Sequence, residues 1–357
     1  MPDNFKAISF NPRFTATGIG TLPHKDPAVA VGLVLERLGE MPYWPQLPNL
    51  GAQEDMNLQY APALTPLVAP DEAGHRVVAF SGLSREEALA GFFERLLGGG
   101  LDSFGLSQHS AAGFYQFLET VGEAPAGSYP WVKGHVTGPL TLAASVMGGD
   151  GKALLYDDEV AEALARGLGL AAAAQVKQLE PLNRPVMVFI DEPFLSGYGS
   201  AFTPLSGDKV IALLGATMEE LRARAQVVVG VHCCGDTDWG LMVDTGVDVL
   251  NLDSDGFGGH LLLYPEKVQE LLQRGGAIAW GAVPTSEYTG DETARGLWDG
   301  LHKLLKELEA KGISHDLLAS QALVTPACGM GSLDEAKAEA ILDLTAGVSQ
   351  LARAEYL

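Results

Sequence analysis

Val186-Met187-Val188-Phe189-Ile190-Asp191-Glu192-Pro193 is a short apolar, β-branched run that stops on two carboxylates and a proline. Such a run reads as a buried strand, and an amphipathic stretch follows it. The same form recurs along the chain. Predicted strands end at Gly20-Thr21-Leu22-Pro23, Phe104-Gly105-Leu106, His135-Val136-Thr137, Phe189-Ile190-Asp191, Gly230-Val231-His232, Leu250-Asn251-Leu252-Asp253, Trp280-Gly281-Ala282 and Val324-Thr325-Pro326. Helical patterns lie between and after them, at 26–40, 84–97, 159–179, 208–224, 292–311 and 333–353, several opening on a capping residue. Eight βα units most economically close into a parallel (β/α)8 TIM barrel, one unit spanning residues 1–357, with reactive groups where the strands end. An open doubly wound sheet is the competing arrangement. Residues 41–80, with Pro42, Pro45, Pro48, Pro62, Pro66 and Pro70, read as an ordered excursion or hairpin after the first βα unit, placed to fold over the barrel mouth.

Composition limits what such a fold can do. With 357 residues, 47% hydrophobic and 19% charged, the chain can bury a large core and is not disordered. Lys plus Arg number 23 against 45 Asp plus Glu, a net charge of −22 that repels phosphate backbones and anionic lipid. Nucleic-acid and membrane partners are therefore not expected. The most basic stretch, 303–311, carries Glu307 and Glu309 between its lysines and reads as a solvated helix face. Residues 1–14 lack the apolar stretch of a signal peptide, and no run approaches the length of a membrane span. Three cysteines cannot all pair with one another, which fits a reducing cytoplasm and a ligating or reactive thiol.

Two of those cysteines are adjacent, in Val231-His232-Cys233-Cys234-Gly235-Asp236-Thr237. On an extended backbone residues two apart share a face, so His232 and Cys234 project together and Cys233 turns away. Pro326-Ala327-Cys328-Gly329 follows the last predicted strand, and Asp253 ends the strand between. Two thiols and an imidazole converging on a barrel mouth suit zinc with an open fourth position, for which Asp253 is the natural carboxylate. Without a metal, the cysteines would be small buried hydrophobes and His232 a barrel-wall histidine.

These residues carry a resemblance. Gly18-Ile19-Gly20-Thr21-Leu22-Pro23, Thr137-Gly138-Pro139-Leu140-Thr141, Ile190-Asp191-Glu192-Pro193, His232-X-Cys234, Leu252-Asp253 and Pro326-Ala327-Cys328-Gly329, in that order, resemble the catalytic barrel of cobalamin-independent methionine synthase over nearly the whole chain. The run from His232 to Thr237 is also similar to zinc methyltransferases that move methyl groups between corrinoids and coenzyme M, in the superfamily of uroporphyrinogen decarboxylase. The resemblance implies zinc on His232, Cys234 and Cys328, with Asp253 where methionine synthase has Glu. It implies that Asp191 holds the amino group of homocysteine and that Ile19-Gly20-Thr21 meets its carboxylate. A Glu that the family uses in the second-strand region has no counterpart in Leu106-Ser107-Gln108-His109.

The expected activity is zinc-dependent methylation of a small-molecule thiol, with homocysteine giving methionine as the leading case. A free alkyl thiol is mostly protonated at neutral pH, and metal coordination removes that proton. Asp191 and Glu192 point to opposite faces if the strand runs through both; Asp191 is taken as the ammonium partner, and Glu192 as either a substrate contact or a cap in the barrel wall. His24 and His109 follow predicted strands and are candidates to protonate a leaving group or meet the methyl donor. A decarboxylase of the uroporphyrinogen type would need cations to grip its many carboxylates, where this chain offers Thr21-Leu22-Pro23-His24-Lys25. A non-catalytic zinc- or corrinoid-binding barrel is a third reading. Full-length cobalamin-independent methionine synthase resembles two fused barrels, the first helping to bind a polyglutamylated folate. This chain has room for one, so the expected donor is a methylated corrinoid or its carrier protein, with the folate as alternative.

Overall fold

The computed structural model describes residues 10–200 and 203–357; of the 1–14 segment read above, residues 1–9 lie outside it. Nine strands are described: β1 Thr15–Ala16, β2 Val68–Asp71, β3 Arg76–Ala79, β4 Val132–Thr137, β5 Val186–Asp191, β6 Val228–Cys233, β7 Val249–Asp253, β8 Ala277–Val283 and β9 Ala322–Pro326. Seven form one parallel sheet in the order β1-β9-β8-β7-β6-β5-β4, while β2 and β3 pair as an antiparallel hairpin. The last strand pairs with the first. The sheet is therefore curled, as an α/β barrel requires, and helices surround it. Side-chain caps start those helices as the sequence suggests: Asp26 for Pro27–Arg37, Asp157 for Asp158–Leu179, Ser206 for Gly207–Arg222, Thr293 for Ala294–Ala310 and Asp334 for Glu335–Tyr356. Ser84 and Glu87 form a capping box at the start of Arg85–Gly98.

One predicted strand is absent. Leu101–Phe104 forms a turn of 3₁₀ helix, and no strand ends at Leu106. The Gln178 side chain bonds both backbone groups of Leu106, receiving its N–H and donating to its carbonyl at 3.0 Å each. The groups a strand would offer a neighbour are thus satisfied by a side chain. Beside β4 runs the start of the Pro-rich segment instead. Lys133 donates its backbone N–H to Pro42 O and accepts at its own carbonyl from Trp44 N, while Gln46 donates its N–H to Gly20 O and accepts at its carbonyl from Leu22 N. Residues 42–46 therefore bridge from β4 at one edge of the sheet to the segment that follows β1 at the other, through parallel bridges Tyr43↔Lys133 and Thr21↔Gln46. Only the later part of 41–80 is the expected hairpin.

Strand alternation sorts the side chains into two cores. Val188, Ile190, Val229, Val231, Cys233, Leu250 and Leu252 pack outward against the helices. Met187, Phe189, Val228, Val249, Ala277, Ala279 and Leu323 pack inside the curl of the sheet. Continuing the inner rows along β5, β6 and β7 reaches Asp191, His232 and Asn251, which fixes where chemistry can sit.

Candidate metal centre

His232 is the last inward residue of β6, in register with Asn251 of β7. Cys233 turns outward, is wholly buried, and its thiol lies 3.6 Å from Gly235 O; burial pushes this thiol up to about 12. The backbone then leaves the strand, and Cys234 comes back to the inner side. Cys328 arrives from the end of β9. One ligand atom each from His232, Cys234 and Cys328 lie within 4.8 Å of one another. Tetrahedral zinc with bonds of about 2.0–2.3 Å needs ligand atoms about 3.3–3.8 Å apart, so the set fits zinc with a small contraction. A hydrogen bond from the Cys328 thiol, with the His232 ring close by, favours the Cys234 thiolate, and the Cys328 thiol is raised by that same bond to Cys234. One of the two thiols is therefore already disposed to ionise.

These groups open onto a cavity of about 450 Å³, lined also by Ile19, Gly20, Thr21, Asp191, Gly329 and Gly331. Asp191 Oδ1 is buried without a hydrogen-bond partner. Burial raises its carboxyl, with His232 and Lys133 pulling it back. An unpaired buried carboxylate oxygen is costly, and a cationic ligand group would relieve it. Across the cavity the 19–21 backbone is held from several sides: Lys133 Nζ donates to Ile19 O at 2.5 Å, and Met330 N and Gly331 N donate to Thr21 O and Oγ1. Gly20 admits no larger residue without a shift, because an added Cβ would stand 3.0 Å from the His135 ring.

Three expected site residues stand elsewhere. Glu192 is wholly buried but does not line the cavity; it accepts from Leu140 N and Thr141 N at 2.8 Å and from Thr141 Oγ1 at 2.6 Å. It caps the helix Pro139–Ser145, the second of its two expected roles, and so ties the end of β5 to the helix that follows β4. Gly138 lies so close that an added Cβ would fall 2.1 Å from the Glu192 carboxyl carbon. Burial pushes this carboxyl up to about 7, against the three donors. Glu192→Ala should lower folding stability by about 3 kcal/mol, since it strands three buried donors. Thermal unfolding checks this, with Glu192→Gln, which keeps an acceptor, expected to lose less.

His109 is 68% exposed and pairs with Glu72 at 3.1 Å, outside the cavity lining. No strand carries it inward, because the one expected before it is missing. Asp253 is likewise outside the three-residue group: its Oδ1 closes a turn by accepting from Asp255 N at 3.0 Å and Gly256 N at 2.9 Å.

The sequence reading missed other groups. Gln46, Asn49, Glu54, Asp55 and Met56, all from the Pro-rich segment, form one cavity wall. Glu54 is fully buried, accepts from Ala112 N at 2.7 Å and Leu47 N at 3.3 Å, and is pushed up to about 7 by burial. A signal was available: these polar residues interrupt an otherwise apolar and Pro-rich stretch. Lys133 and His135 were missed too, although a charged and a titratable residue on the inner row of β4 stand out against Val132 and Val136. Neither ring nitrogen of His135 has a partner, and burial holds its pKa well below the usual value. It stacks on Trp44 at 3.9 Å.

No helix among the described residues is long and apolar enough to cross a membrane. No family model matches the chain, and no curated protein does. Among solved structures it is similar to a B12-independent methionine synthase from Shewanella sp. W3-18-1 in complex with selenomethionine, at 20% identity over 67% of each chain, with a TM-score of 0.47.

Proposed function

We propose that this chain is a zinc-dependent methyltransferase that acts on a small thiol bearing an amino-acid head, with homocysteine as the leading candidate and a methylated corrinoid as donor. The observation that carries this reading is the meeting of His232, Cys234 and Cys328 on the same cavity as Asp191 and the 19–21 backbone. We also read residues 42–46 as the eighth stave of a (β/α)8 barrel, which would make that cavity the barrel mouth.

His232, Cys234 and Cys328 would hold zinc, which when bound lowers the pKa of an incoming thiol so that its sulfur reacts as thiolate. The protein residues do the rest. Asp191 receives the substrate ammonium on its unpartnered oxygen, and Glu54 adds a second carboxylate to the same wall. The 19–21 backbone, held by Lys133 and the 330–331 loop, faces the other end of the substrate. Fixing both ends aims the sulfur and removes water from it.

Among the described residues, no Lys or Arg lines the cavity. A polyglutamate tail would bring several carboxylates to a wall that already holds Asp191, Glu54 and Asp55, with no cation to pair them. A corrinoid offers a broad and largely uncharged face. Zinc-loaded protein given homocysteine should therefore form methionine faster from methylcobalamin than from polyglutamyl methyltetrahydrofolate. Faster turnover with the folate would overturn the donor assignment, and no transfer from either to any thiol would overturn the methyltransferase reading.

A further inference from the structure

His232 offers two ring nitrogens, and one is already engaged: Nδ1 lies 2.5 Å from Asn251 Oδ1. Asn251 is wholly buried, and its other end is committed, with Nδ2 donating to Ala279 O at 2.8 Å and to Thr325 Oγ1 at 2.9 Å. A backbone carbonyl can only accept, so the amide NH2 must face Ala279 and the amide oxygen must face His232. An oxygen in that place requires a proton on Nδ1. A neutral imidazole carries one proton, so Nε2 is left with its lone pair free.

We infer that Asn251 is a positioning residue, which locks His232 as the Nδ1–H tautomer and so makes Nε2 the ligating atom. The strand registers build the lock, because His232 pairs with Asn251 and Asn251 pairs with Ala279 on neighbouring strands. Thr325, the other acceptor, lies on β9 three residues before Cys328. One buried amide thus ties the strand that carries His232 to the strand that delivers Cys328. The ring cannot turn its Nδ1 toward the thiols without leaving the Asn251 oxygen unpaired in a dry interior.

This inference rests on the metal reading, and the test separates the two. Zinc affinity is measured by chelator competition for the parent, Asn251→Leu and Asn251→Asp. Nitrogen-15 NMR of the zinc-loaded parent, with His232 assigned by substitution, reports which ring nitrogen carries the proton. The parent should show Nδ1–H. Asn251→Leu, near in size but without an acceptor, should bind zinc about ten- to a hundredfold more weakly, as loss of a ligand's outer hydrogen bond does elsewhere. Asn251→Asp keeps an oxygen at Nδ1 and should recover most of that loss. Equal zinc affinity in the parent and Asn251→Leu, or Nε2–H in the parent, would overturn the role of Asn251 alone. Absence of zinc uptake by the parent would overturn the metal reading itself. The NMR assignment needs no Asn251 variant, so the inference stays testable if Asn251→Leu fails to fold.

Discussion

Cys234→Ser and Cys328→Ser should each lose most bound zinc and, with it, methyl transfer to a thiol by a factor on the order of a hundred to a thousand. Each removes one of the three donor atoms that lie within 4.8 Å of one another. A serine hydroxyl is a far weaker and mostly protonated ligand, and the two remaining groups cannot hold zinc tightly. Losing the metal removes its effect on the thiol, worth several kcal/mol of transition-state stabilisation. Cys233→Ser is the control. It faces the outer core and donates to Gly235 O, so this variant should keep its zinc and its activity. Its cost should appear in stability, because a hydroxyl there sits among apolar side chains. Metal analysis and initial rates on the three variants check the set. Loss of zinc in Cys233→Ser with retention in Cys234→Ser would mean that the ligand face has been read one residue out of register.

Asp191→Asn should weaken homocysteine binding by roughly a hundredfold while leaving zinc content unchanged. Among the described residues that line the cavity, Asp191 is the one with a buried side-chain acceptor that lacks a donor. A bound ammonium would make a buried charged pair with it, and removing one member of such a pair costs about 3 kcal/mol. Calorimetry with homocysteine, and with a thiol that lacks the amino group, checks this. The difference between the two thiols should shrink in the variant. Equal homocysteine affinity in parent and Asp191→Asn would remove Asp191 from substrate recognition and favour a thiol without an ammonium group.

What could be read from the sequence and what could not divide along physical lines. The inward row Met187, Phe189, Asp191 and the outward Cys233 follow from a period of two, which depends only on the local backbone. The zinc-suited trio was legible because each member follows a predicted strand, and parallel strands bring their ends to one side of a sheet. The missing strand before Leu106 was not legible, because its backbone is claimed by Gln178 on a helix 72 residues away. Its place beside β4 went to residues 42–46, whose prolines argue locally against a strand. Glu192 shows the same limit from another side. Adjacent carboxylates after a strand look alike in sequence, and only the start of the helix Pro139–Ser145 beside Glu192 turns one of them into a cap. Asp253 is the local counterexample, since an Asp followed by Ser254-Asp255-Gly256 is itself a turn signal and the turn claims the carboxylate.

X-ray absorption at the zinc edge of the purified parent protein reads the proposed metal centre without any variant or assay of turnover. One zinc per chain is expected, with two sulfur neighbours at about 2.3 Å and one imidazole nitrogen at about 2.0 Å, and a third sulfur on addition of the thiol substrate. A zinc shell of nitrogen and oxygen alone, or a protein that takes up no zinc with its thiols reduced, would contradict the assignment of His232, Cys234 and Cys328 as its ligands.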